Sequence, residues 1–429
     1  MILAAVVALA VLALVGAPLF AILLGAAALG FYTQHTDLAV LHIDIYQLTN
    51  SVVLMALPLF TFAGFLLSES RTADRLVRLS LAAFGWMPGG MAFVALVACA
   101  FFTALTGGSG VTIVALGALL LPALVKSGYP QRFSLGLVTS SGSLGLLLVP
   151  SVPLLIYGII AQQLSQQLAM PPVEIVDLYL AGIGPALLMV ALLYVYCLWA
   201  TREDPVPRQT FNARELLAAL WETRWELPLP LVVMGGIFSG FLVVSEAAAV
   251  TVLYVLIAEV FLYREIPLRR LPGITREAMV MVGGILLILA VAQAFADYLV
   301  YADVPGTLFQ FIQTHVHSKV TFLILLNVLL LLLGALLDIF AALVIMVPLI
   351  LPVALRYGID PVHLGIIFVA NMQIGYITPP VGMNLFIASY RFRKPITELF
   401  RATVPFMLVL IVALLIITYV PALSLWLVR

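Results

Sequence analysis

The chain has 429 residues, 64% of them hydrophobic and only 9% charged, with zero formal net charge and a mean hydropathy of +1.20. No water-soluble domain has an interior large enough for that much apolar surface, whereas lipid accepts it, so the composition excludes a soluble globular protein and specifies an all-α polytopic membrane protein. Two cysteines, Cys99 and Cys197, both in apolar runs, exclude a disulfide framework and a cysteine metal cluster.

In chain order, apolar stretches run over 2–15, 17–33, 51–68, 88–106, 111–126, 132–163, 178–200, 228–242, 245–263, 277–298, 320–337, 339–356, 362–390 and 402–428. Several are shorter than the ~20 residues that a full span prefers. Two are longer and interrupted by proline, 132–163 at Pro150 and Pro153 and 362–390 at Pro379 and Pro380. Residues 1–15 lack the positive n-region and the small-residue cleavage site of a signal peptide.

Basic residues set the sidedness. Arg71, Arg75 and Arg78 follow the third stretch. Lys126 and Arg132 flank the turn after 111–126, and Arg202, Arg208, Arg214 and Arg224 fill the central linker. Arg264, Arg269, Arg270 and Arg276 come next, then Arg391, Arg393, Lys394 and Arg401. The positive-inside rule places all of these in the cytoplasm. Of the 20 basic residues, only Lys319, Arg356 and Arg429 then lie outside. Two spans in each of 2–33 and 228–263 put both termini outside.

Arg78 and Lys126 fall on one side although the runs 88–106 and 111–126 lie between them. Either these are two short spans, or the junction Thr106-Gly107-Gly108-Ser109-Gly110 is the tip of a re-entrant hairpin (88–126). The runs 320–337 and 339–356 also begin and end on one side, the outer one, and read as a second hairpin (320–356). Each hairpin precedes an interrupted stretch, 132–163 or 362–390. A register shift of 230 residues places Leu121, Pro122, Gly128, Gly145 and Pro150 on Leu351, Pro352, Gly358, Gly375 and Pro380 without a gap. Paired Gly/Pro interruptions at corresponding positions mark the binding site of a secondary transporter. The expected organisation is a first inverted repeat over 1–200, a linker over 201–227 and a second inverted repeat over 228–429. Each repeat carries a re-entrant hairpin and a broken helix.

In the linker, Phe211, Leu216, Leu217, Leu220, Trp221 and Trp225 recur at helical spacing among charged residues. That pattern fits an amphipathic helix lying in the membrane interface, or else a soluble connecting helix. Glu246 either caps the helix that follows it or faces a scaffold cavity.

Two constellations can bind a ligand. The first is Thr106, Ser109 and Gly110 at one tip, with Ser141 and Ser143 ahead of Pro150 and Pro153. The second is Asp338 at the other tip, with Asn371, Gln373 and Asn384 around Pro379 and Pro380. The shift of 230 sets Asn371 on Ser141 and Gln373 on Ser143. Broken helices free carbonyls, which hard cations such as Na⁺ accept as ligands, and hydroxyls add further oxygen. Small residues also permit plain close packing. Asp338 is either an intramembrane functional carboxylate or the cap of the helix starting at 339. Freed helix N-termini suit an anion, and the predicted core contains no Arg or Lys. The chain lacks a G-x-x-x-x-G-K-[ST] phosphate loop and an H-E-x-x-H motif, so neither an ATPase nor an intramembrane metalloenzyme is expected. None of the five histidines lies mid-span, which disfavours a histidine proton relay. No nucleic-acid partner and no organic cofactor are expected.

The run TGGSGVTIVALGALLLPALVKSGYP (106–130), the run SGSLGLLLVPSVPLLIYG (141–158), GIDPVHLG (358–365) and ITPPVGMNLFIAS (377–389) resemble the large membrane subunit of TRAP (tripartite ATP-independent periplasmic) transporters, DctM-like. Val244-Ser-Glu-Ala and Pro421-Ala-Leu-Ser-Leu-Trp426 match family landmarks as well. The resemblance implies Na⁺-driven import of an organic acid (a C4-dicarboxylate, sialic acid or a similar carboxylate or sulfonate) across the bacterial inner membrane. It implies a periplasmic substrate-binding protein and a separate small four-helix membrane subunit as partners. It also implies an elevator mechanism, in which two hairpins and two broken helices move against a scaffold, with two or more Na⁺ ions transported. Carried over to this sequence, the sodium sites fall at Ser109, Gly145, Leu148 and Ser151, and at Gly334, Gly375, Thr378 and Val381. The chain departs from the family in having Val149 before Pro150 and Gly-Gly-Ser-Gly at the first tip. The alternatives are a stand-alone Na⁺/anion symporter that needs no binding protein and a non-transporting membrane scaffold subunit.

Overall fold

The first hairpin turns where glycine permits it. Its arms are Gly90–Thr106 and Ser109–Lys126. Gly107 ends the first arm in the left-handed region (φ 72°), and its N–H donates to the Thr103 carbonyl. The computed structural model describes residues 7–9, 11, 12, 15, 17–49, 52–167, 172–202, 210–379 and 381–429. Residue 1, Arg208 and Pro380, used above, lie outside the described residues. The second hairpin has arms Lys319–Leu336 and Ile339–Arg356. Its turn is Leu337-Asp338, both extended, and the Asp338 carboxylate accepts from the Phe340 and Ala341 N–H groups at 2.9 and 3.1 Å. Shifting the first hairpin's arms by 230 residues gives 320–336 and 339–356, within one residue of the second hairpin's arms.

Both second arms stop the same way. Gly128 (φ 100°) and Gly358 (φ 68°) take the left-handed conformation. The N–H of the following residue returns to a carbonyl five positions back, Tyr129 to Leu124 and Ile359 to Ala354. This is the Schellman stop, in which a side chain at the glycine position is strained. Pro130 and Pro361 follow, and a new helix begins on each.

Those new helices break. The first runs over Gln131–Ser141, passes through a 3₁₀ turn at Leu144–Leu147 and restarts at Val152–Gln167. The second runs over Pro361–Gly375 and restarts at Met383–Phe392. The packing crosses over between the halves. Ser109–Lys126 lies on the restarted Met383–Phe392, while Ile339–Arg356 lies on the restarted Val152–Gln167. The span Ile396–Tyr419 packs on Gln131–Ser141, and Ile175–Ala200 packs on Pro361–Gly375. Around this interior stand Leu19–Thr33, Ala56–Glu69, Val244–Leu256 and Leu271–Tyr301. Among the described residues there are no strands. Among the described residues, eight helices are long and apolar enough to cross a membrane, or nine if the bent pair 53–69 and 72–84 counts as one span.

Hydropathy alone misses three helices, Ala39–Thr49, Thr72–Phe84 and Val304–His315. The second is strongly amphipathic, and its charges hide it among loop residues. One of those charges is structural. Arg75, only 4% exposed, pairs with Glu226, Glu259 and Glu265, and its guanidinium lies 3.9 Å from the centre of the Tyr263 ring. Burial pushes the Glu226 carboxyl up, against the opposing pull of Arg75 and the Tyr263 hydroxyl. Nearer the surface, Arg78 pairs with Glu215 and Glu222 of the linker helix Ala213–Glu222. Asn212 caps that helix through the Arg214 and Glu215 N–H groups, while Phe211, Leu217 and Trp221 face outward. Glu246 accepts from the Val243 N–H at 3.1 Å and so acts as a helix cap.

Removing one member of a buried ion cluster leaves the other charges uncompensated, at a cost of roughly 3–5 kcal/mol, while half-exposed pairs contribute little. Arg75→Leu is therefore expected to lower the melting temperature of the purified protein sharply. Arg78→Ala should leave it nearly unchanged, and thermal unfolding in detergent reads both.

Candidate substrate and ion site

The two hairpin tips meet across a cavity of about 170 Å³. Gly107, Gly108, Ser109, Gly110 and Val111 of the first tip line it, facing Ile339 and Phe340 of the second. Leu146 enters from the first break, Tyr376 and Met383 from the second, and Met281 from a surrounding span. No lining residue is charged. Ser109, Ile339 and Met383 are each the first residue of a helix, so three helix N-termini converge on one small volume. Neither Ser109–Lys126 nor Met383–Phe392 has a side-chain cap. The Asn384 N–H is taken by the Tyr376 carbonyl at 3.0 Å, but both positive dipole ends face a site without Arg or Lys, an arrangement that suits an anion. At the third N-terminus, Asp338 caps the Phe340 and Ala341 N–H groups, and the Ile339 N–H donates to the Tyr376 hydroxyl at 2.8 Å.

Of the residues expected to bind substrate, Ser109 and Gly110 line this cavity. Asn384 stands just behind, its Oδ1 accepting from the Ser109 hydroxyl at 2.9 Å. Thr106 closes the first arm with a hydroxyl that donates to the Phe102 carbonyl. Ser141, Ser143, Asn371 and Gln373 lie deeper and are not brought to the cavity wall. The Ser143 hydroxyl donates to the Gln373 carbonyl at 3.3 Å and ties the two breaks together. Asn371 donates to Asn327 at 2.7 Å and to the Ile367 carbonyl at 2.8 Å. Asp338 is exposed and serves as a cap. The three interior amides share one property. Asn371 Oδ1, Gln373 Oε1 and Asn384 Nδ2 are buried without a partner, whereas nearly all buried polar groups in folded proteins are paired. The positions that the 230-residue alignment selects as polar on polar thus include side chains with unused hydrogen-bonding capacity in the interior.

The residues carried over as ion ligands fall where each break presses on its own hairpin. A Cβ on Gly145 would run into the Ala100 carbonyl and the Ala104 N. A Cβ on Gly375 would sit 2.5 Å from the Gly334 Cα. Gly334 is 230 residues beyond Ala104, so both breaks touch the same point of their hairpins' first arms. Ser151 donates to the Leu146 carbonyl and accepts from the Leu154 N–H, which holds the 3₁₀ turn against the restarted helix. Thr378 donates to the Ile374 carbonyl at 2.9 Å. Val381 is 40% exposed, and Leu148 is half-buried at the end of the 3₁₀ turn, so each offers only its main chain. The Gly382 N–H donates to the Ala335 carbonyl and closes the second break on the second hairpin. The donors on offer are all oxygens, mostly carbonyls and hydroxyls, the set that hard cations take.

Four participants escape the sequence reading. Thr103 and Thr112 hydrogen-bond across the first hairpin at 2.7 Å, and Thr103 also donates to the Gly142 carbonyl. Tyr376 holds the second tip, and Asn327 meets Asn371. Each sits inside an apolar run, where one hydroxyl or amide scarcely changes the pattern.

The chain matches the family description "Tripartite ATP-independent periplasmic transporter, DctM component" over residues 6–423. It is 34% identical over 416 residues to the isethionate TRAP transporter permease protein DctMQ of Oleidesulfovibrio alaskensis, covering 96% of this chain and 64% of that protein. It is 35% identical over 386 residues to the C4-dicarboxylate TRAP transporter large permease protein DctM of Pseudomonas aeruginosa, covering 90% of this chain and 88% of that protein. Among solved structures, the YdaH transporter of Alcanivorax borkumensis superposes with a TM-score of 0.64 at 16% identity, over 86% of this chain and 84% of that one, a likeness of fold alone.

Overpacking a close backbone contact costs roughly 1–3 kcal/mol. Gly375→Ala is accordingly expected to part the second break from Gly334 and to abolish uptake. Gly235→Ala, where a Cβ meets open space, should retain activity. Initial uptake rates at matched expression test the pair.

Proposed function

This chain belongs to the DctM component family of tripartite ATP-independent periplasmic transporters, and on that premise we propose that it imports a small organic anion across the bacterial inner membrane, driven by Na⁺. The observation that carries the reading is the cavity at the hairpin tips, lined by no charged residue, at which three helix N-termini converge, one of them capped by Asp338. Main-chain N–H groups, the Ser109 hydroxyl and the Asn384 amide are the groups that meet the carboxylate or sulfonate. Two relatives named for isethionate and for C4-dicarboxylates are consistent with that class.

Two or more Na⁺ ions accompany the substrate as cargo. Ser109, Gly145, Leu148 and Ser151 hold one between the first hairpin and its break. Gly334, Gly375, Thr378 and Val381 hold another in the second half. Each ion helps to neutralise the anion in a site without basic side chains. Residues 1–200 and 228–429 act as inverted repeats. The two hairpins and two broken helices form the body that moves, elevator-fashion, against the surrounding spans and the 201–227 linker. A periplasmic binding protein delivers the substrate, and a small four-helix membrane subunit completes the complex.

Proteoliposomes holding the membrane complex test this reading. Uptake is expected only with an inward Na⁺ gradient and a loaded binding protein outside. Uptake driven by a pH gradient alone would overturn the coupling, and uptake without the binding protein would identify a stand-alone symporter. Losing one hydroxyl ligand is worth about 1 kcal/mol, roughly fivefold in affinity. Thr378→Val should thus raise the Na⁺ concentration for half-maximal uptake roughly fivefold with little change in melting temperature. An unchanged Na⁺ dependence would assign Thr378 to packing.

A further inference from the structure

A larger cavity lies away from the hairpin tips. A groove of about 590 Å³ separates the helix Val304–His315 from the two arms of the second hairpin. Its wall is apolar, with Leu308 and Phe311 on the helix and Leu325, Leu329, Met346 and Ile350 on the arms; His315 is the one titratable lining residue. The equivalent helix of the first half, Thr72–Phe84, packs on both arms of its hairpin, whereas Val304–His315 packs chiefly on Ile339–Arg356. The groove is the space left against Lys319–Leu336. Leu325 and Leu329, 51% and 41% exposed, continue it onto an outward face shared with Ile324, Val328 and Leu332.

One end of the groove is basic. His315 closes it. Lys319 begins the adjoining arm, and its ammonium donates to the Gly358 carbonyl at 2.8 Å, leaving two N–H donors free. Arg356 ends the other arm, its guanidinium 4.9 Å from the centre of the Phe309 ring. Asp360, a carboxylate on the same side, is paired with Arg429. Lys319 and Arg356 are also two of the three basic residues that the charge pattern leaves outside, where the positive-inside rule disfavours them. An apolar slot open to hydrocarbon, with two cations at its head that have no carboxylate partner among the described residues, matches an anionic phospholipid: acyl chain along the slot, phosphate on Lys319 and Arg356.

We propose that the groove between Val304–His315 and the second hairpin binds one anionic phospholipid in the outer leaflet. The lipid fills the space between the second hairpin and the helix that leads into it. This inference rests on the membrane sidedness in the transport reading but not on transport itself.

The test uses the purified full chain, delipidated in detergent and titrated with palmitoyl-oleoyl phosphatidylglycerol or with the phosphatidylcholine of the same chains. Native mass spectrometry reads retention. Two basic residues near the headgroup each favour an anionic lipid several-fold, so a preference of roughly tenfold or more for phosphatidylglycerol is expected. Lys319→Ala with Arg356→Ala should reduce the preference to about one. Leu325→Trp, which fills the slot, should abolish retention of both lipids at unchanged melting temperature. Equal retention of the two lipids by the native chain would overturn the proposal. So would phosphatidylglycerol retention that survives both variants, or a co-purifying protein helix in the slot that excludes lipid. Retention is measured without uptake, so failure here leaves the transport reading standing, and failed uptake leaves this result standing.

Discussion

A main-chain N–H or C=O stripped of its partner in hydrocarbon costs several kcal/mol, and that constraint governs the whole interior of this protein. Two hairpin tips and two helix breaks interrupt the helical pairing, and protein from both halves packs against them. The crossed packing makes this possible. Each hairpin's second arm lies on the restarted helix of the other half, so a break is walled by elements from both. Each loose end then meets a particular partner. The Ile339 N–H meets the Tyr376 hydroxyl, the Gly382 N–H meets the Ala335 carbonyl, and Ser151 bridges its own turn. Among the described residues, what is left over includes the helix N-terminus at Ser109, which no side chain caps, the hydroxyls of Thr139 and Ser140 in the first broken helix, and the spare amide ends of Asn371, Gln373 and Asn384.

The same constraint accounts for the lack of Arg and Lys at the tips. A fixed Arg or Lys would attract an anion, but it would also be a buried unpaired cation whenever the site stood empty, which is costly in a membrane interior. Helix N-termini provide positive potential without a net charge. On the proposed reading the cations arrive with the cargo, so the site is neutral when empty and close to compensated when full. Asp338 fits this account because its carboxylate is spent on the Phe340 and Ala341 N–H groups at the one tip that lacks glycine.

Much of this architecture is legible in the sequence because Gly and Pro act through the main chain, where their effect is independent of surroundings. Gly128 and Gly358 are needed for left-handed φ with open space around them, and Gly145 and Gly375 for contact with a hairpin arm. All four stand out at the 230-residue shift. Side chains that act through tertiary contacts are not legible in this way. Arg75 looks like one more positive-inside residue, since nothing near it in sequence announces Glu226, Glu259 and Glu265. Tyr376 and Met281 reach the cavity from apolar runs. Ser141, Ser143, Asn371 and Gln373 flank the breaks and so group with the tips in sequence, but the fold turns them toward the packed interior. Amphipathic helices such as Thr72–Phe84 and Val304–His315 go unread because a hydropathy window averages their two faces.

The distribution of ion pairs separates the parts that the transport reading sets in relative motion. Arg75 with its three glutamates, Arg78 with Glu215 and Glu222, and Arg270 with Glu69 all join pieces outside the hairpins and breaks. They fasten the linker and the 244–270 segment to the helices over 56–84. The 88–163 segment carries only Lys126 and Arg132 as charged residues, both beside the turn between hairpin and break. Its contacts with the rest are apolar side chains, close backbone approaches and hydrogen bonds such as Ser109 to Asn384 and Arg132 to the Arg401 carbonyl, with no ion pair among the described residues. Apolar surfaces can be exchanged for one another, or for lipid, at little cost, whereas a buried ion pair cannot be pulled apart without stranding both charges. A chain that had to slide one bundle past another would keep its ion pairs off the sliding face. The pairs of Arg75, Arg78 and Arg270 fit that expectation, whereas Asp360, between the second hairpin and its break, is tied to Arg429.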